Sequence, residues 1–390
     1  MKQGGSLGFL RLAAVLGLGA TLLLSGCGEF FTPVNNNPTG GGTNSYVYVT
    51  NAGGTLAEYS LVSGVLTALS SSPITPTVAP TSVVVTPNNA FLYVGTSTGI
   101  FMYTIGSDGS LTEGNNDTVV YLNQNGYTVA SMAVDPTSSW LLVAYQNQTE
   151  LDAIPISPTT GLPTSDSAFV ATLAFGTLAP QVAIAPANNN VFVALGSGGT
   201  EAIGFTPTAT TSSPWGKTGV KIPLKTASTS DTSVAVDPTS TYLYITEADI
   251  SGKNAAGSLR LFAIADLSTE LTGSPYPTGV GPSAVLAELS GKYVYVTNAT
   301  DGTISAYSFS ATTQALTALA STFPTEKSPV ALVEDSSKTY IIDVGNGANP
   351  NLWLYSIDAS TNDGTLDVGS TKSTAGSVNP AVANGIAITH

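Results

Sequence analysis

Short runs of aromatic and branched apolar residues return along this chain at a nearly constant spacing. Seven runs share one pattern, and the clearest of them is Tyr-Val-Tyr-Val-Thr-Asn. They occupy residues 46–51, 91–96, 140–145, 191–194, 242–247, 293–298 and 339–343. The steps are 45, 49, 50, 52, 51 and 46 residues when they are measured at Tyr48, Tyr93, Leu142, Phe192, Tyr244, Tyr295 and Ile341. A period near 50 built from short β-rich runs is typical of a β-propeller with one four-stranded blade per repeat.

Each repeat contains further strand patterns around this tyrosine strand. A small apolar run with little alternation precedes it, as in Ser-Met-Ala-Val-Asp-Pro at 131–136 and Ser-Val-Ala-Val-Asp-Pro at 233–238. Strands packed on both faces have such sequences, so we predict that these runs form the innermost strand of each blade. A third strand follows the tyrosine strand after a short turn, and a looser segment predicts an outer edge strand.

The order of strands at the two chain ends predicts how the propeller closes. The first repeat begins with a tyrosine strand at residue 46, whereas the chain finishes with an innermost-type run near residues 386–389. We therefore predict an all-β, seven-bladed propeller in which the last strand pairs with residues 46–50, so that both termini complete one blade. The alternative is a six-bladed ring with a separate terminal hairpin.

The start of the chain predicts export. Lys2 and Arg11 precede an apolar run at residues 12–24, which is too short to span a bilayer core of roughly 30 Å but fits a secretory signal. The run ends in Leu-Ser-Gly-Cys27, which is similar to a bacterial lipobox and implies cleavage before Cys27 and acylation of its thiol. We predict a signal peptide at 1–26, the lipidated Cys27 and a flexible tether at 27–44, and the propeller at 45–390, anchored to the cell-envelope membrane. A plain signal peptide or a short anchor is the alternative.

Composition narrows the chemistry. Charged residues make up 9% of the chain and its formal net charge is −14, so the surface would repel phosphate backbones and nucleic acid is not an expected partner. Cys27 is the single cysteine, and His390, at the chain end, is the single histidine. A catalytic triad, a cysteine nucleophile and a histidine-rich zinc site are therefore not expected, and we predict no cofactor and no metal.

Candidate ligand-binding groups lie where the predicted strands begin or end. Loops from several blades of a propeller converge at the rim of its central channel, and oxygen-bearing side chains there can hold a hydroxylated ligand. The fifth repeat has a lengthened turn at 247–257, which makes Glu247 and Asp249 candidates. The other candidates on this rim are Asn51, Gln181, Asp231, Asn298 and Asp343. The alternative is that such groups only cap strand ends.

The Tyr-Val-Tyr-Val-Thr-Asn runs, together with apolar runs ending in Asp-Pro or Thr-Pro, resemble the seven-bladed lactonase family, which includes the propeller-type 6-phosphogluconolactonase. The resemblance covers about residues 45–390 and implies both the fold and a lactone hydrolase activity. Family enzymes tend to carry Gly-Pro-Arg-His before one innermost strand and Asn-Glu after the next tyrosine strand. Here Thr232 and Ser233 stand in the places of the Arg and the His, and the acid is displaced by one position to Glu247. Arg260, the sole arginine after the leader, lies inside a strand, so a phosphorylated lactone would lack its cationic clamp.

Two functions remain open from the sequence. The first is a binding or scaffolding module of the cell envelope whose rim recognises a carbohydrate or a protein. The second is a hydrolase of an unphosphorylated sugar lactone, in which Glu247 or Asp231 activates water and rim Asn or Ser groups hold the carbonyl.

Overall fold

The computed structural model describes residues 44–115, 118–123, 125–165, 167–174, 181–185 (backbone alone), 189–207, 212–216, 219–347, 350–358, 363–372 and 382–390. All regular elements in these ranges are β-strands. None of the described residues forms a helix that could span a membrane. The predicted signal peptide, Cys27 and almost all of the predicted tether lie outside the described residues.

The described residues form thirty strands. In chain order they are β1 (Ser45–Asn51), β2 (Thr55–Val62), β3 (Val65–Ala68), β4 (Pro80–Val85), β5 (Phe91–Thr96), β6 (Gly99–Ile105), β7 (Leu111–Glu113), β8 (Val129–Val134), β9 (Trp140–Tyr145), β10 (Glu150–Pro155), β11 (Phe169–Thr172), β12 (Gln181–Ala185), β13 (Asn190–Ala194), β14 (Thr200–Gly204), β15 (Val220–Ile222), β16 (Thr229–Val236), β17 (Tyr242–Asp249), β18 (Ala256–Ala263), β19 (Asp266–Glu270), β20 (Tyr276–Val280), β21 (Pro282–Ala287), β22 (Tyr293–Asn298), β23 (Thr303–Ser310), β24 (Ala315–Ala318), β25 (Phe323–Pro324), β26 (Pro329–Glu334), β27 (Tyr340–Gly345), β28 (Leu352–Ile357), β29 (Leu366–Lys372) and β30 (Ala383–Ile388).

These strands form seven antiparallel sheets, each of which is one blade of a propeller. From the inside outward, blades 1 to 7 are β30-β1-β2-β3, β4-β5-β6-β7, β8-β9-β10-β11, β12-β13-β14-β15, β16-β17-β18-β19, β21-β22-β23-β24 and β26-β27-β28-β29. The short strands β20 and β25 pair with the third strands of blades 5 and 6. The prediction of seven blades is confirmed, and the six-bladed alternative is wrong.

Pairing between the two ends of the chain closes the ring. Strand β1 lies between β2 and the last strand β30, with Val47 opposite Ile388. The amide of Thr389 donates to the carbonyl of Tyr46 at 2.9 Å, and the amide of Tyr46 donates to the Thr389 hydroxyl at 2.8 Å. Each innermost strand then packs against the innermost strand of the next blade around the whole circle. The predicted closure is therefore confirmed.

The repeated tyrosine packs in the interface between one blade and the next. Seven apolar clusters fill the seven interfaces, and the rings of Tyr48 and Tyr295 are fully buried within them. The Tyr48 hydroxyl donates to the carbonyl of Gly109 at 2.8 Å, and the Tyr295 hydroxyl donates to that of Gly364 at 3.0 Å. Both glycines belong to turns in the next blade and have φ values of +80° and +82°. A tyrosine at this position fills the apolar interface and also satisfies its hydroxyl, which explains why the residue recurs.

A bulge near the start of the innermost strands links the blades a second time. In the six innermost strands other than β12, the register against the tyrosine strand shifts so that one residue is left unpaired. In four blades, the side chain of this extra residue donates to a carbonyl at the start of the next innermost strand, at 2.7 to 2.8 Å. The donors and acceptors are Asn384 and Pro80, Thr81 and Val129, Thr232 and Pro282, and Ser283 and Pro329. These hydrogen bonds run around the channel from blade to blade.

Candidate functional site

The residues five positions after the first aromatic residue of most tyrosine strands form a buried layer at one rim of the propeller. Asn51, Thr96, Glu247 and Asn298 occupy this position in blades 1, 2, 5 and 6, and each is at most 1% exposed. The Asn51 amide donates to the Thr55 hydroxyl of the neighbouring strand at 3.1 Å. For Asn51, this contact supports the alternative that the side chain caps its own strand end.

Asp231 and Glu247, the two predicted catalytic residues, lie directly opposite each other on β16 and β17. Both side chains are buried. The Asp231 Oδ2 accepts a hydrogen bond from the Thr200 hydroxyl of blade 4 at 2.7 Å, and the Asp231 backbone pairs with Gly196 of the same blade. The structure thus brings the two carboxyl groups together at the junction between blades 4 and 5.

Arg260 completes this cluster, and its role was not predicted from the sequence. Its guanidinium is buried, with Nη1 3.1 Å from Glu247 Oε1 and Nη2 3.0 Å from Glu270 Oε1. Glu247 Oε1 also accepts a hydrogen bond from the amide of Lys225 at 2.7 Å, while Arg260 Nη1 donates to the carbonyl of Pro223 at 2.7 Å. Because Pro223 and Lys225 belong to the segment that crosses from blade 4 to blade 5, the cluster holds this crossover in place.

The pKa of Asp231 is raised to about 7. Burial is the main cause and the Glu247 carboxylate also raises the pKa, whereas the hydrogen bond from Thr200 lowers it. A carboxyl group with such a pKa can exchange a proton near neutral pH, as a general base must. A general base must also reach its substrate, and Asp231 is only 2% exposed.

Asp249, the predicted binding residue of the lengthened turn, does not join this pair. Its carboxylate accepts hydrogen bonds from the hydroxyl and the amide of Ser251, at 2.8 and 3.1 Å, and both lower its pKa. A third hydrogen bond, from the amide of Ala255, measures 3.3 Å. Asp249 therefore caps its own loop at 250–255.

Gln181 begins β12 opposite Ala194, as predicted for an innermost strand. Its side chain lies outside the described part of the chain, as does Cys27. The binding role of Gln181 and the lipidation of Cys27 stay predictions.

Asp343 does not lie at a strand end, so its predicted position on the rim is wrong. The amide of Asp335 donates to the carbonyl of Tyr340, just as the amide of Glu288 donates to Tyr293 in blade 6. Tyr340 therefore matches Tyr293, and the seventh repeat is shifted by one residue from its alignment by sequence. Asp343 is the fourth residue of the six-residue strand β27 and is fully buried.

The carboxyl group of Asp343 faces that of Glu326, which lies on the crossover from blade 6 to blade 7. Burial, and next the Glu326 carboxylate, raise the pKa of Asp343. Burial likewise raises the pKa of Glu326 to about 7. Among the described residues, no group of three or more His, Cys, Asp and Glu side chains could hold a metal ion.

A pocket of about 530 Å³ opens on blade 6. Its wall combines hydroxyl groups, one carboxylate and an apolar surface. The hydroxyl groups belong to Thr278, Thr303, Ser305, Ser321 and Thr322, the carboxylate belongs to Asp301, and the apolar surface is formed by Pro277, Ala306 and Leu319. Such a mixture suits a ligand that has both polar and apolar faces.

Asn298, a predicted binding residue, stands behind this pocket. Its Nδ2 donates to the hydroxyls of Thr303 and Ser305, at 3.1 and 3.0 Å. Its Oδ1 accepts no hydrogen bond within the described part of the chain. Gly279 brings the crossover segment against this group, because a Cβ added there would lie 2.7 Å from Cγ of Asn298 and 2.6 Å from Oδ2 of Asp301. The polar wall of the pocket is thus organised by Asn298.

The two residues in the places of the family's Arg and His have structural partners. The Thr232 hydroxyl donates to the carbonyl of Pro282 at 2.8 Å, and the Ser233 hydroxyl accepts from the amide of Val285 at 3.1 Å. Both side chains therefore join blades 5 and 6.

No protein-family model and no curated protein sequence matches the chain. Solved structures do match its fold. A candidate 6-phosphogluconolactonase from Bacteroides fragilis aligns with a TM-score of 0.68 and 13% identity, over 90% of this chain and 100% of the other. The periplasmic gluconolactonase of Pseudomonas aeruginosa aligns with a TM-score of 0.65 and 11% identity, over 89% and 99%. The β-propeller domain of Cps50 (Swd1) from Myceliophteria thermophila aligns with a TM-score of 0.52 and 12% identity, over 77% and 87%.

These comparisons confirm the resemblance to lactonase propellers at the level of the fold. The chain is a seven-bladed β-propeller whose fold is similar to theirs. At this level of identity a shared fold does not by itself imply a shared activity.

The buried carboxyl groups predict that stability falls as pH rises. The pKa of Glu334 is raised to about 9, chiefly by burial, and that of Asp231 to about 7. The folded protein therefore keeps protons that the unfolded chain releases above about pH 4. This stabilisation is complete below that pH and is lost as the pH rises through about 7 and about 9. We expect Glu334→Gln to reduce the loss of unfolding free energy between about pH 5 and pH 9 by on the order of 1 to 3 kcal/mol.

Urea unfolding at a series of pH values, followed by fluorescence, measures this effect. Gln keeps an oxygen for the Leu289 amide, which donates to Glu334 Oε2 at 2.7 Å. The exposed Glu113→Gln serves as the matched control and should leave the pH profile unchanged. Equal slopes in the wild type and in Glu334→Gln would contradict the prediction.

Proposed function

We propose that this protein is an exported, lipid-anchored binding propeller whose blade 6 pocket takes a hydroxylated ligand, such as a carbohydrate. The observation that carries the proposal is the Asn298 amide, which fixes the hydroxyls of Thr303 and Ser305 at the wall of a pocket of about 530 Å³. A buried amide that orients two pocket hydroxyls is the kind of arrangement that pre-organises a polar binding site.

The hydrogen-bonding directions favour a ligand that accepts as well as donates. Because the Thr303 hydroxyl accepts from Asn298, its own proton is left to donate, and no described group accepts it. Asp301 is exposed and offers a carboxylate, of which Oδ2 already accepts from the amide of Val280 at 2.6 Å. A carboxylate accepts several hydrogen bonds, so it can receive ligand hydroxyls as well. Leu319 provides an apolar surface for the face of a sugar ring.

Titration calorimetry on the full-length protein with neutral monosaccharides, N-acetylglucosamine and gluconolactone tests this site. We expect Thr303→Val and Ser305→Ala to weaken binding by about 2- to 10-fold each, the amount that one lost hydrogen bond represents. Gly279→Ala should weaken it more, because the new Cβ pushes Asn298 and Asp301 into the pocket.

Thr317→Val is the matched control, since Thr317 is exposed on the outer strand of the same blade. Binding that survives all three pocket substitutions unchanged, or no binding of any of these sugars by the wild type, would remove the proposal.

Lactone hydrolysis at Asp231 and Glu247 is the second candidate. It is supported by the pKa of about 7 at Asp231 and by the direct opposition of the two residues across β16 and β17. In this mechanism Asp231 accepts a proton from the attacking water, while Arg260 keeps Glu247 in place. The periplasmic gluconolactonase of similar fold suggests an unphosphorylated sugar lactone as the substrate to try.

Gluconolactone hydrolysis above the uncatalysed rate, measured across pH 5 to 9 by pH-stat titration, tests this candidate. Loss of a general base reduces kcat by about 10²-fold or more, so Asp231→Asn should abolish most of the activity, and Glu247→Gln should reduce it. The rate should rise as Asp231 loses its proton near pH 7. Asp249→Asn, on the nearby loop, is the control. If the folded wild type gives only the background rate, this candidate is excluded.

The envelope location is part of the proposal and is tested separately. It is supported by the lipobox-like Leu-Ser-Gly-Cys27, and the periplasmic protein of similar fold is consistent with export. Expressed in a bacterium supplied with labelled palmitate, the wild type should incorporate label and sediment with membranes. Cys27→Ser should do neither, and label retained by this variant would contradict lipidation at Cys27.

A further inference from the structure

The carboxyl groups of Glu326 and Asp343 form a second buried acidic pair, which neither proposed function uses. Glu326 is 5% exposed and Asp343 is fully buried. No described side chain outside the pair donates to any of their four carboxyl oxygens, and each carboxyl group has the other as its side-chain partner. Buried carboxyl oxygens are nearly always paired with donors, charges or ions, so this pair needs a shared proton or a bound cation between its two groups.

Matching blades 5 and 7 shows what the second pair lacks. The amides of Asp237 and Asp335 donate to the carbonyls of Tyr242 and Tyr340, respectively, so these two tyrosines correspond. Counting three residues onward, Asp343 occupies the position of an apolar residue in blade 5. That residue, Ile245, lies opposite Arg260, whereas Asp343 lies opposite Trp353.

The cation of blade 5 is thus replaced by a neutral ring in blade 7. In blade 5, the guanidinium of Arg260 lies 3.1 Å from the Glu247 carboxylate. In blade 7, neither Glu326 nor Asp343 forms an ion pair with any described lysine or arginine. Two carboxylates without a counter-charge are strongly unfavourable in a buried site, so the pair has either to share a proton or to bind a cation from outside the chain.

The lack of a side chain at Gly345 leaves room for the carboxyl group of Glu326. Gly345 corresponds to Glu247 of blade 5, and a Cβ added at Gly345 would lie 2.2 Å from Oε1 of Glu326. The carboxylate from the crossover therefore occupies the place that a side chain of the tyrosine strand fills in blade 5. The two acids come from different segments, and they meet only when blade 7 is folded.

We propose that Glu326 and Asp343 bind one hard divalent cation, of the Ca²⁺ and Mg²⁺ class, between blades 6 and 7. Carboxylate oxygens are the ligands that these ions prefer, and sites with one or two carboxylates complete their coordination with carbonyl groups and water. One divalent cation balances both charges and uses oxygens to which no described side chain outside the pair donates.

Cation binding would fix the crossover beside the blade 6 pocket. Strand β25, two residues before Glu326, pairs with β23 through Pro324 and the pocket residue Thr303. The amide of Thr325 also donates to the carbonyl of Gly302 at 3.0 Å. The cation site is therefore connected to one wall of the pocket, although its test does not depend on any ligand of that pocket.

Calorimetry on the full-length protein, stripped with EDTA and titrated with CaCl₂ or MgCl₂, tests the site. We expect one ion per chain, with thermal unfolding shifted to higher temperature. Asp343→Asn and Glu326→Gln should each weaken binding at least about tenfold, since each removes one of two charged ligands. Asp231→Asn is the matched control, because it alters the buried pair that already has Arg260, and it should bind the ion as the wild type does.

Terbium luminescence gives a second measurement that leaves both ligands intact. Tb³⁺ substitutes for Ca²⁺ and is sensitised by a nearby indole, and Trp353 lies opposite Asp343 on the neighbouring strand. Trp353→Phe should therefore remove most of the sensitised emission while ion binding persists. This result remains informative if the carboxyl variants fail to fold.

Two outcomes would overturn the proposal. The first is no binding by the wild type at about 10 mM Ca²⁺ or Mg²⁺, above the range of the weakest protein calcium sites. That result would leave a shared proton as the partner of the two carboxyl groups. The second is binding that is unaffected in folded Asp343→Asn and Glu326→Gln, together with emission that is unaffected in Trp353→Phe, which would place the ion elsewhere.

Discussion

Pairing of the last strand with the first is the interaction on which this structure depends. Tyr46 and Thr389 are 343 residues apart in the sequence, yet they exchange two hydrogen bonds. A blade cannot bury both of its faces alone, because its apolar clusters are completed by the neighbouring blade. Only when β30 docks on β1 does blade 1 gain its innermost strand and separate blade 7 from blade 2. The ring is consequently held without a covalent link, and one long-range β pairing supports seven interfaces.

Each crossover between two blades also has to be held in place at the buried rim. Different blades use different polar groups for this purpose. In blade 3, the carboxylate of Asp152 accepts hydrogen bonds from Tyr145 at 2.6 Å and from Tyr121 of the crossover at 3.0 Å. In blade 5, Glu247 and Arg260 contact the crossover, whereas in blade 7 the crossover itself supplies an acid. The polar groups at the crossovers thus differ from one repeat to another. Both candidate sites and the proposed cation site lie at these crossovers.

The period of the tyrosine strands predicted the blades and their closure because every interface between blades requires such a buried strand. The sequence misled where a repeat departs from this shared pattern. Tyr340, which matches the first tyrosine of the other runs, is the second residue of the run at 339–343. Aligning that run by its first residue therefore moved Asp343 by one position. A one-residue shift reverses the face of every side chain in a strand. Glu326 lies in a crossover with no repeated pattern, so nothing in the sequence placed it beside Asp343. Arg260 could have been recognised, since a lone arginine within an apolar strand has to find buried acids.

The two candidate functions differ in the motion that each requires. The blade 6 pocket is open as it stands, and its polar wall is already oriented by Asn298. Asp231 and Glu247, by contrast, lie beneath a crossover that two hydrogen bonds of 2.7 Å hold in place. The Lys225 amide donates to Glu247, and Arg260 donates to the carbonyl of Pro223. A substrate could reach these carboxyl groups only if those contacts opened, which would expose a buried ion pair. The proposed binding in blade 6 therefore requires no rearrangement of the folded state, whereas the proposed hydrolysis at the blade 4–5 junction requires a second, higher-energy arrangement of the crossover.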